Sequence, residues 1–80
     1  MGFQVQIGDQ LFLEEGGEEI GAVRKVTPDH LVVYIEAAGD FTVPGPWVRA
    51  VHDGKVVLDP EKCDPTFLDA ARGAHERETD

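Results

Sequence analysis

The chain has 80 residues, of which 16 are acidic and 7 are basic, so its formal charge is −9 and its pI is near 4.5. This length suits one domain and excludes two. The acid excess argues against nucleic acid and anionic membranes as partners, because both are bound through Lys and Arg. The single cysteine, Cys63, excludes an intrachain disulfide and a Cys-based zinc cluster, which favours a cytoplasmic location. The first residues lack the features of a signal peptide, and the apolar run at residues 31–35 is too short to span a bilayer.

The first half of the chain is punctuated like a β-protein. Residues 3–7 alternate apolar and polar side chains, which predicts a half-buried strand, and a second strand is expected at residues 10–14. Gly16 and Gly17 then suit a tight hairpin, because glycine can supply the positive φ angles that it needs. Residues 20–27 carry apolar side chains at a spacing of three, which indicates a β-bulge at Gly21. Residues 30–36 are β-branched and aromatic on both faces, so we predict a central strand there.

The second half continues the pattern of short strands. A strand at residues 41–43 ends at Pro44, and a short 3₁₀ turn over Pro44-Gly45-Pro46 leads into Trp47. Residues 49–52 and 55–58 flank Asp53-Gly54, a strong signal for a two-residue hairpin. Five or six short strands joined by tight turns are typical of an all-β fold, here a small antiparallel barrel or sandwich.

The last twenty residues predict a helix. Asp64 suits the N-cap, Pro65 suits the first helical position, and Phe67 and Ala71 follow on one face. A helix of about ten to twelve residues is marginal alone in water, so it either docks on the barrel through Phe67 and Leu68 or frays. We expect the residues after Gly73 to form a polar tail that is disordered at its end. Residues 1–60 are therefore assigned to the barrel, and residues 61–80 to a connector, a helix and a tail of the same single domain.

The order of these signals resembles a known family. The resemblance rests on a glycine-led first turn, an acidic hairpin and the segments Glu19-Ile20-Gly21-Ala22-Val23, Phe41-Thr42-Val43-Pro44, Trp47-Val48, Val51, Asp53-Gly54 and Val56-Val57-Leu58. Over residues 5–59 the chain is similar to PRC-barrel domains, in particular to short PRC-barrel-like domains of bacteria. The resemblance implies an SH3-like β-barrel that acts as a non-catalytic module and contacts protein partners. It implies no catalytic residue.

Two sets of side chains are candidate metal ligands. Four carboxylates bracket the glycines of the predicted hairpin, namely Glu14, Glu15, Glu18 and Glu19. They either collect a divalent cation such as Ca²⁺ or form a solvated tip that discourages edge-to-edge pairing. His30 and His52 each adjoin an aspartate and either meet to hold a transition metal or remain solvated side chains beside turns.

Trp47 is the main candidate for contact with a protein partner. Its neighbours Pro44 and Pro46 make it a possible platform for an extended peptide, and Trp is a frequent interface anchor. The alternative is a tryptophan packed over the open end of the barrel. On the helix, Phe67 and Leu68 are candidate contact residues as well.

The sequence argues against an enzyme. It contains no serine, which excludes Ser-based hydrolase triads, and Glu15 and Glu18 stand where a phosphate-binding loop would place its ligand. Acidic neighbours raise the pKa of the Cys63 thiol rather than activating it. We therefore expect a non-enzymatic interaction module without cofactor or obligate metal, whose partner is another protein or a second copy bound through a strand edge or the helix. The alternative is a divalent-metal or small-ligand binder that uses the acidic hairpin or the two histidines.

Overall fold

The computed structural model describes the backbone of residues 4–78 and the side chains of residues 4–73. The strands are β1 (Gln10–Phe12), β2 (Glu19–Val26), β3 (His30–Ile35), β4 (Gly39–Pro44), β5 (Val48–His52) and β6 (Lys55–Leu58). A 3₁₀ helix (Gly45–Trp47) joins β4 to β5, and the helix α1 spans Pro65–Glu78. The mostly-β architecture agrees with the prediction, and the six strands lie within the expected five or six, although one of the predicted segments is not a strand.

The six strands form one curled sheet, a half-barrel, in the order β4-β3-β2-β1-β6-β5. All neighbours are antiparallel except β1 and β6, which run parallel with Leu11 opposite Val56. The prediction of an entirely antiparallel sheet is therefore wrong. Parallel pairing joins strands that are distant in the chain, so no turn between them announces it in the sequence.

The strand predicted at residues 3–7 is absent from the part that is described, residues 4–7. The backbone turns here instead, because Asp9 N–H donates to the Gln6 carbonyl at 3.1 Å and the Asp9 carboxylate accepts from Gln6 N–H at 2.9 Å. Gly8, with φ of +96°, allows this turn. The side chain of Ile7 is consequently 71% exposed.

β2 carries two irregularities that explain its spacing of apolar residues. Ile20 is an extra residue in the pairing with β1, and Arg24 is an extra residue in the pairing with β3. Ile20 and Val23 therefore both face the core, although they are three residues apart. The bulge that was predicted at Gly21 is therefore found at its neighbour Ile20, and a second bulge lies at Arg24. At Gly21 itself a Cβ atom would overlap the carbonyl oxygen of Tyr34.

β3 lies between β4 and β2, second from the edge of the sheet rather than at its centre. Its inward side chains, Leu31, Val33 and Ile35, are fully buried, whereas Val32 and Tyr34 on the other face are half-buried. β3 is therefore an interior strand, paired on both sides, as the sequence predicted. The outward apolar side chains are partly covered by their neighbours on the sheet and not by a second layer.

The helix docks on the sheet. Its N-terminus is capped as predicted, with Thr66 N–H donating to the Asp64 carboxylate at 2.9 Å. Phe67 and Ala71 on its inner face belong to the core. The helix has 14 residues rather than ten to twelve and continues past Gly73 to Glu78, so the backbone of residues 74–78 is helical and does not belong to a tail. Thr79 and Asp80, the end of the expected tail, lie outside the described residues.

Candidate partner-binding corner and hairpin crevice

The predicted contact residues Pro44, Pro46 and Trp47 form a corner between the two edge strands of the sheet. β4 ends at Pro44, and the 3₁₀ helix turns the chain into β5. The corner is held by two backbone hydrogen bonds, from Gly45 N–H to the Asp29 carbonyl at 3.0 Å and from Asp59 N–H to the Trp47 carbonyl at 2.8 Å. Pro46 is exposed, and Pro44 and Trp47 are half-buried.

Trp47 packs against the helix through an aromatic cluster. Its ring centroid lies 5.5 Å from that of Phe67, and the Phe67 ring makes an edge contact with Phe41 at 5.7 Å. Phe67 is only 2% exposed, so its ring joins the helix to the sheet and faces no partner. Leu68 is half-buried against the core. The structure thus brings Phe67 into contact with Trp47 beside Pro44 and Pro46, of which Pro46 is the most exposed.

The corner is flanked by unpaired strand edges. Within the described residues, β4 pairs with β3 alone and β5 pairs with β6 alone. Edge strands present backbone N–H and C=O groups that are free to pair with an added strand. Pro44 on β4 and the irregularity at Arg49 on β5 restrict such pairing to short stretches.

The acidic hairpin contacts one of the two histidines. All four predicted carboxylate residues, Glu14, Glu15, Glu18 and Glu19, are exposed. The two carboxylate oxygens of Glu15 lie 2.9 and 3.1 Å from Nε2 of His52, which can donate its proton to them. On its other side, Nδ1 of His52 lies 3.6 Å from Oδ2 of Asp53. Glu15 and His52 are 37 residues apart in the chain, which is why the sequence did not reveal their contact.

His30 has separate partners. Its Nδ1 lies 2.8 Å from the Asp29 carboxylate and 2.9 Å from the Thr27 hydroxyl. The hydrogen bond from His30, followed by that from Thr27, lowers the pKa of Asp29 below its usual value. Among the side chains of residues 4–73, no group of three or more His, Cys, Asp or Glu is arranged to hold a metal ion.

A crevice of about 250 Å³ lies between the acidic hairpin and the β5–β6 hairpin. Its apolar floor is formed by Phe12 and Val57, and its charged rim includes Glu15, His52 and Lys55. The ammonium group of Lys55 lies 5.7 Å from the centre of the Phe12 ring. Sequence reasoning missed Phe12, Lys55 and Val57 as site residues. Only the alternation of β1 and β6, which places these side chains on the outer face, hinted at them.

Cys63 is a buried thiol in the connector before α1. Its Sγ–H donates to the Asp59 carbonyl at 3.3 Å. Burial, and secondarily the negative charge of Asp59, raise the pKa of the thiol to about 11. The thiol is therefore protonated at neutral pH and a poor nucleophile.

Comparison of the chain with protein-family models, with curated proteins and with solved structures finds no match. No helix within the described residues is long and apolar enough to cross a membrane.

Proposed function

We propose that this protein is a non-enzymatic interaction module of the PRC-barrel type that contacts a protein partner in the cytoplasm. The observation that carries the proposal is the corner of Pro44, Pro46 and Trp47, which lies between two edge strands that each have one unpaired side. An exposed proline and a half-exposed tryptophan provide apolar contact area, and the adjacent strand edges provide hydrogen-bonding groups. The curled sheet of short strands supports an SH3-like barrel.

The chemistry of the interior supports a binding role over catalysis. Among residues 4–73, no polar or charged residue is buried. Catalytic acids, bases and nucleophiles usually owe their reactivity to a desolvated environment that shifts their pKa. The one buried thiol, Cys63, is shifted toward its unreactive form. An interaction module requires no such group.

The proposal is tested by affinity capture with the full chain and two matched variants. Pro46→Lys places a charge in the corner, and Ala38→Lys places the same charge on the exposed β3–β4 turn. We expect affinity capture, followed by chemical cross-linking, to recover a protein bound to the wild type. The same protein should bind Ala38→Lys and should not bind Pro46→Lys. If all three chains capture the same proteins, or if only uncomplexed monomer is recovered, the proposal is wrong.

The contact between Glu15 and His52 favours a second candidate function, the binding of a small ligand in the hairpin crevice, and the divalent-cation alternative is tested beside it. It joins the acidic hairpin to a histidine above an apolar floor. A ligand of the folded state raises the unfolding temperature. We would screen Ca²⁺, Mg²⁺, Zn²⁺ and small amines at about 5 mM. A shift abolished by His52→Gln and kept by His30→Gln supports this candidate, whereas the absence of any shift excludes it.

A further inference from the structure

The free edge of β4 presents backbone groups at a regular spacing. Gly45 N–H, just beyond β4, donates to the Asp29 carbonyl, just before β3, at 3.0 Å, and the register of the two strands continues from this pair without interruption. In an antiparallel pair, hydrogen-bonded and non-hydrogen-bonded residues alternate along each strand. The backbone groups of residues 39, 41 and 43 therefore point toward β3, and those of Asp40 and Thr42 point away from the sheet.

These outward groups have no backbone partner in the part of the chain that the structure describes. Within residues 4–78, β4 pairs only with β3, and no turn or loop contributes a backbone hydrogen bond to Asp40 or Thr42. The N–H and C=O groups of both residues can therefore pair with a further strand, up to Pro44, which lacks an N–H. The edge of β5 is less suitable, because the irregularity at Arg49 interrupts its register.

The one charged side chain on this stretch of β4 lies away from the edge. Oδ1 of Asp40 is 3.8 Å from Nε of Arg24, which belongs to β2, two strands further into the sheet. The guanidinium group of Arg24 lies 5.7 Å from the centre of the Tyr34 ring on the intervening strand β3. A charge on an edge strand usually discourages the addition of another strand. Here the carboxylate is directed along the outer face toward a cation, so this protection is weakened.

Phe41 provides an apolar contact at the centre of the edge. It is half-buried on the core side of β4, and its ring makes an edge contact with Phe67 at 5.7 Å. A residue directly opposite Phe41 on an added antiparallel strand belongs to a non-hydrogen-bonded pair, in which the two side chains come close together. An apolar side chain at that position covers the exposed part of the Phe41 ring. The edge thus selects both an extended backbone and an apolar side chain at one position.

We propose that β4 binds an extended segment of a protein partner as an additional antiparallel strand, with apolar side chains at alternate positions and one of them opposite Phe41. The inference rests on the proposed function and names how the partner binds beside the corner. A helical segment is a poor occupant, because its N–H and C=O groups bond to each other. A second copy of this chain is disfavoured, since two molecules of charge −9 repel each other.

The test uses the full chain labelled with ¹⁵N and a capped heptapeptide of sequence Lys-Val-Thr-Val-Thr-Val-Lys, whose central valine is placed opposite Phe41. When about nine in ten molecules are bound, the amide protons of Asp40 and Thr42 should exchange with solvent about tenfold more slowly. The amides of Phe41 and Val43 already bond to β3 and should change little. Protection confined to other residues, or no protection at millimolar peptide, would overturn the proposal.

Two modified peptides separate backbone pairing from side-chain contact. N-methylation of the third and fifth peptide residues removes the N–H groups that face β4 in the proposed pairing. N-methylation of the second and sixth residues removes N–H groups that face solvent. The first peptide should bind about tenfold more weakly than the second, as expected for the loss of two hydrogen bonds. Equal affinities of the two methylated peptides would contradict strand addition.

A pair of variants at one position tests the edge from the side of the protein. Thr42→Pro removes an outward N–H, a position at which edge strands tolerate proline, whereas Thr42→Val keeps it. Thr42→Pro should bind the heptapeptide about threefold to tenfold more weakly than Thr42→Val. The fluorescence of Trp47 and the unfolding temperature show whether both variants are folded. If Thr42→Pro does not fold, the methylated peptides decide, and equal affinities of the two folded variants would argue against the proposal.

The outcomes separate this inference from the proposed function. If the heptapeptide does not bind while a captured protein remains sensitive to Pro46→Lys, strand addition is wrong and the interaction module stands. If the heptapeptide protects Asp40 and Thr42 while no protein is captured, the corner loses its role and β4 stands as the acceptor of a strand. Protection of these two amides that rises with protein concentration without peptide would assign the edge to a second copy and overturn the proposal.

Discussion

Gly21 shows how strongly a single residue constrains this sheet. β2 approaches β3 so closely at this position that a Cβ atom would overlap the carbonyl oxygen of Tyr34 and crowd the side chain of Ile35. The backbone of β3 is held between two strands and cannot move away without breaking its pairing. The glycine is therefore required by packing and not by a turn.

We predict that Gly21→Ala lowers the free energy of unfolding by about 3 kcal/mol or more, the upper range for overpacking. The total stability of a domain of this size is only about 4–12 kcal/mol. Urea denaturation followed by circular dichroism measures the effect. Gly16→Asn is the control, because Gly16 has open space and a φ of +73° that asparagine tolerates. Equal stability of Gly21→Ala and wild type would show that β2 and β3 are farther apart.

Cys63 gives the protein a stability that depends on alkaline pH. The folded thiol titrates near pH 11 and the unfolded thiol near its ordinary value of 9.0. Between these values the unfolded chain loses the proton and the folded chain keeps it, so stability falls as pH rises. We expect the wild type to lose more stability than Cys63→Ala between pH 9 and pH 11. Parallel unfolding curves of the two chains across this range would contradict the shifted pKa.

At the scale of elements, α1 owes its stability to docking. Phe67 joins it to the sheet through Trp47 and Phe41. A helix of this length is marginal in isolation. The helix therefore folds with the sheet rather than before it.

We predict that Phe67→Ala destabilises the protein by about 3–5 kcal/mol, the usual cost of removing a buried phenylalanine. The fluorescence of Trp47, the only tryptophan, should shift to longer wavelength as its packed face becomes hydrated. Leu68→Ala should cost less, because Leu68 is only half-buried. An unchanged Trp47 spectrum in Phe67→Ala would argue against docking through this cluster.

The elements also show which sequence signals were reliable. Asp53-Gly54 forms the expected tight hairpin, with φ angles of 52° and 73°, because the two residues themselves favour that conformation. The alternation at residues 3–7 was misleading, because the Asp9 side chain and Gly8 stabilise a local turn instead. A period of two is also compatible with irregular chain, so turn chemistry nearby decides the outcome.

At the scale of the whole molecule, the charge of −9 opposes folding through self-repulsion. We predict that about 0.2 M NaCl raises the unfolding temperature by a few degrees, since salt screens exposed like charges. Glu14→Gln combined with Glu36→Gln should raise it at low salt and reduce its response to salt. If NaCl lowers the unfolding temperature, the attractive pairs, such as Glu15 with His52, outweigh the repulsion.

The sequence by itself determined the turns, most of the strands and the start of the helix, because these depend on residues close together in the chain. Only the tertiary structure decided the parallel pairing of β1 with β6, the contact of Glu15 with His52 and the burial of Phe67. It also decided the position of a groove between the β1–β2 hairpin and α1, which is lined by Leu13, Glu14, Glu18, Ile20, Pro60, Ala71 and Arg72. These features join residues tens of positions apart, and local preferences carry no information about which distant segments will meet.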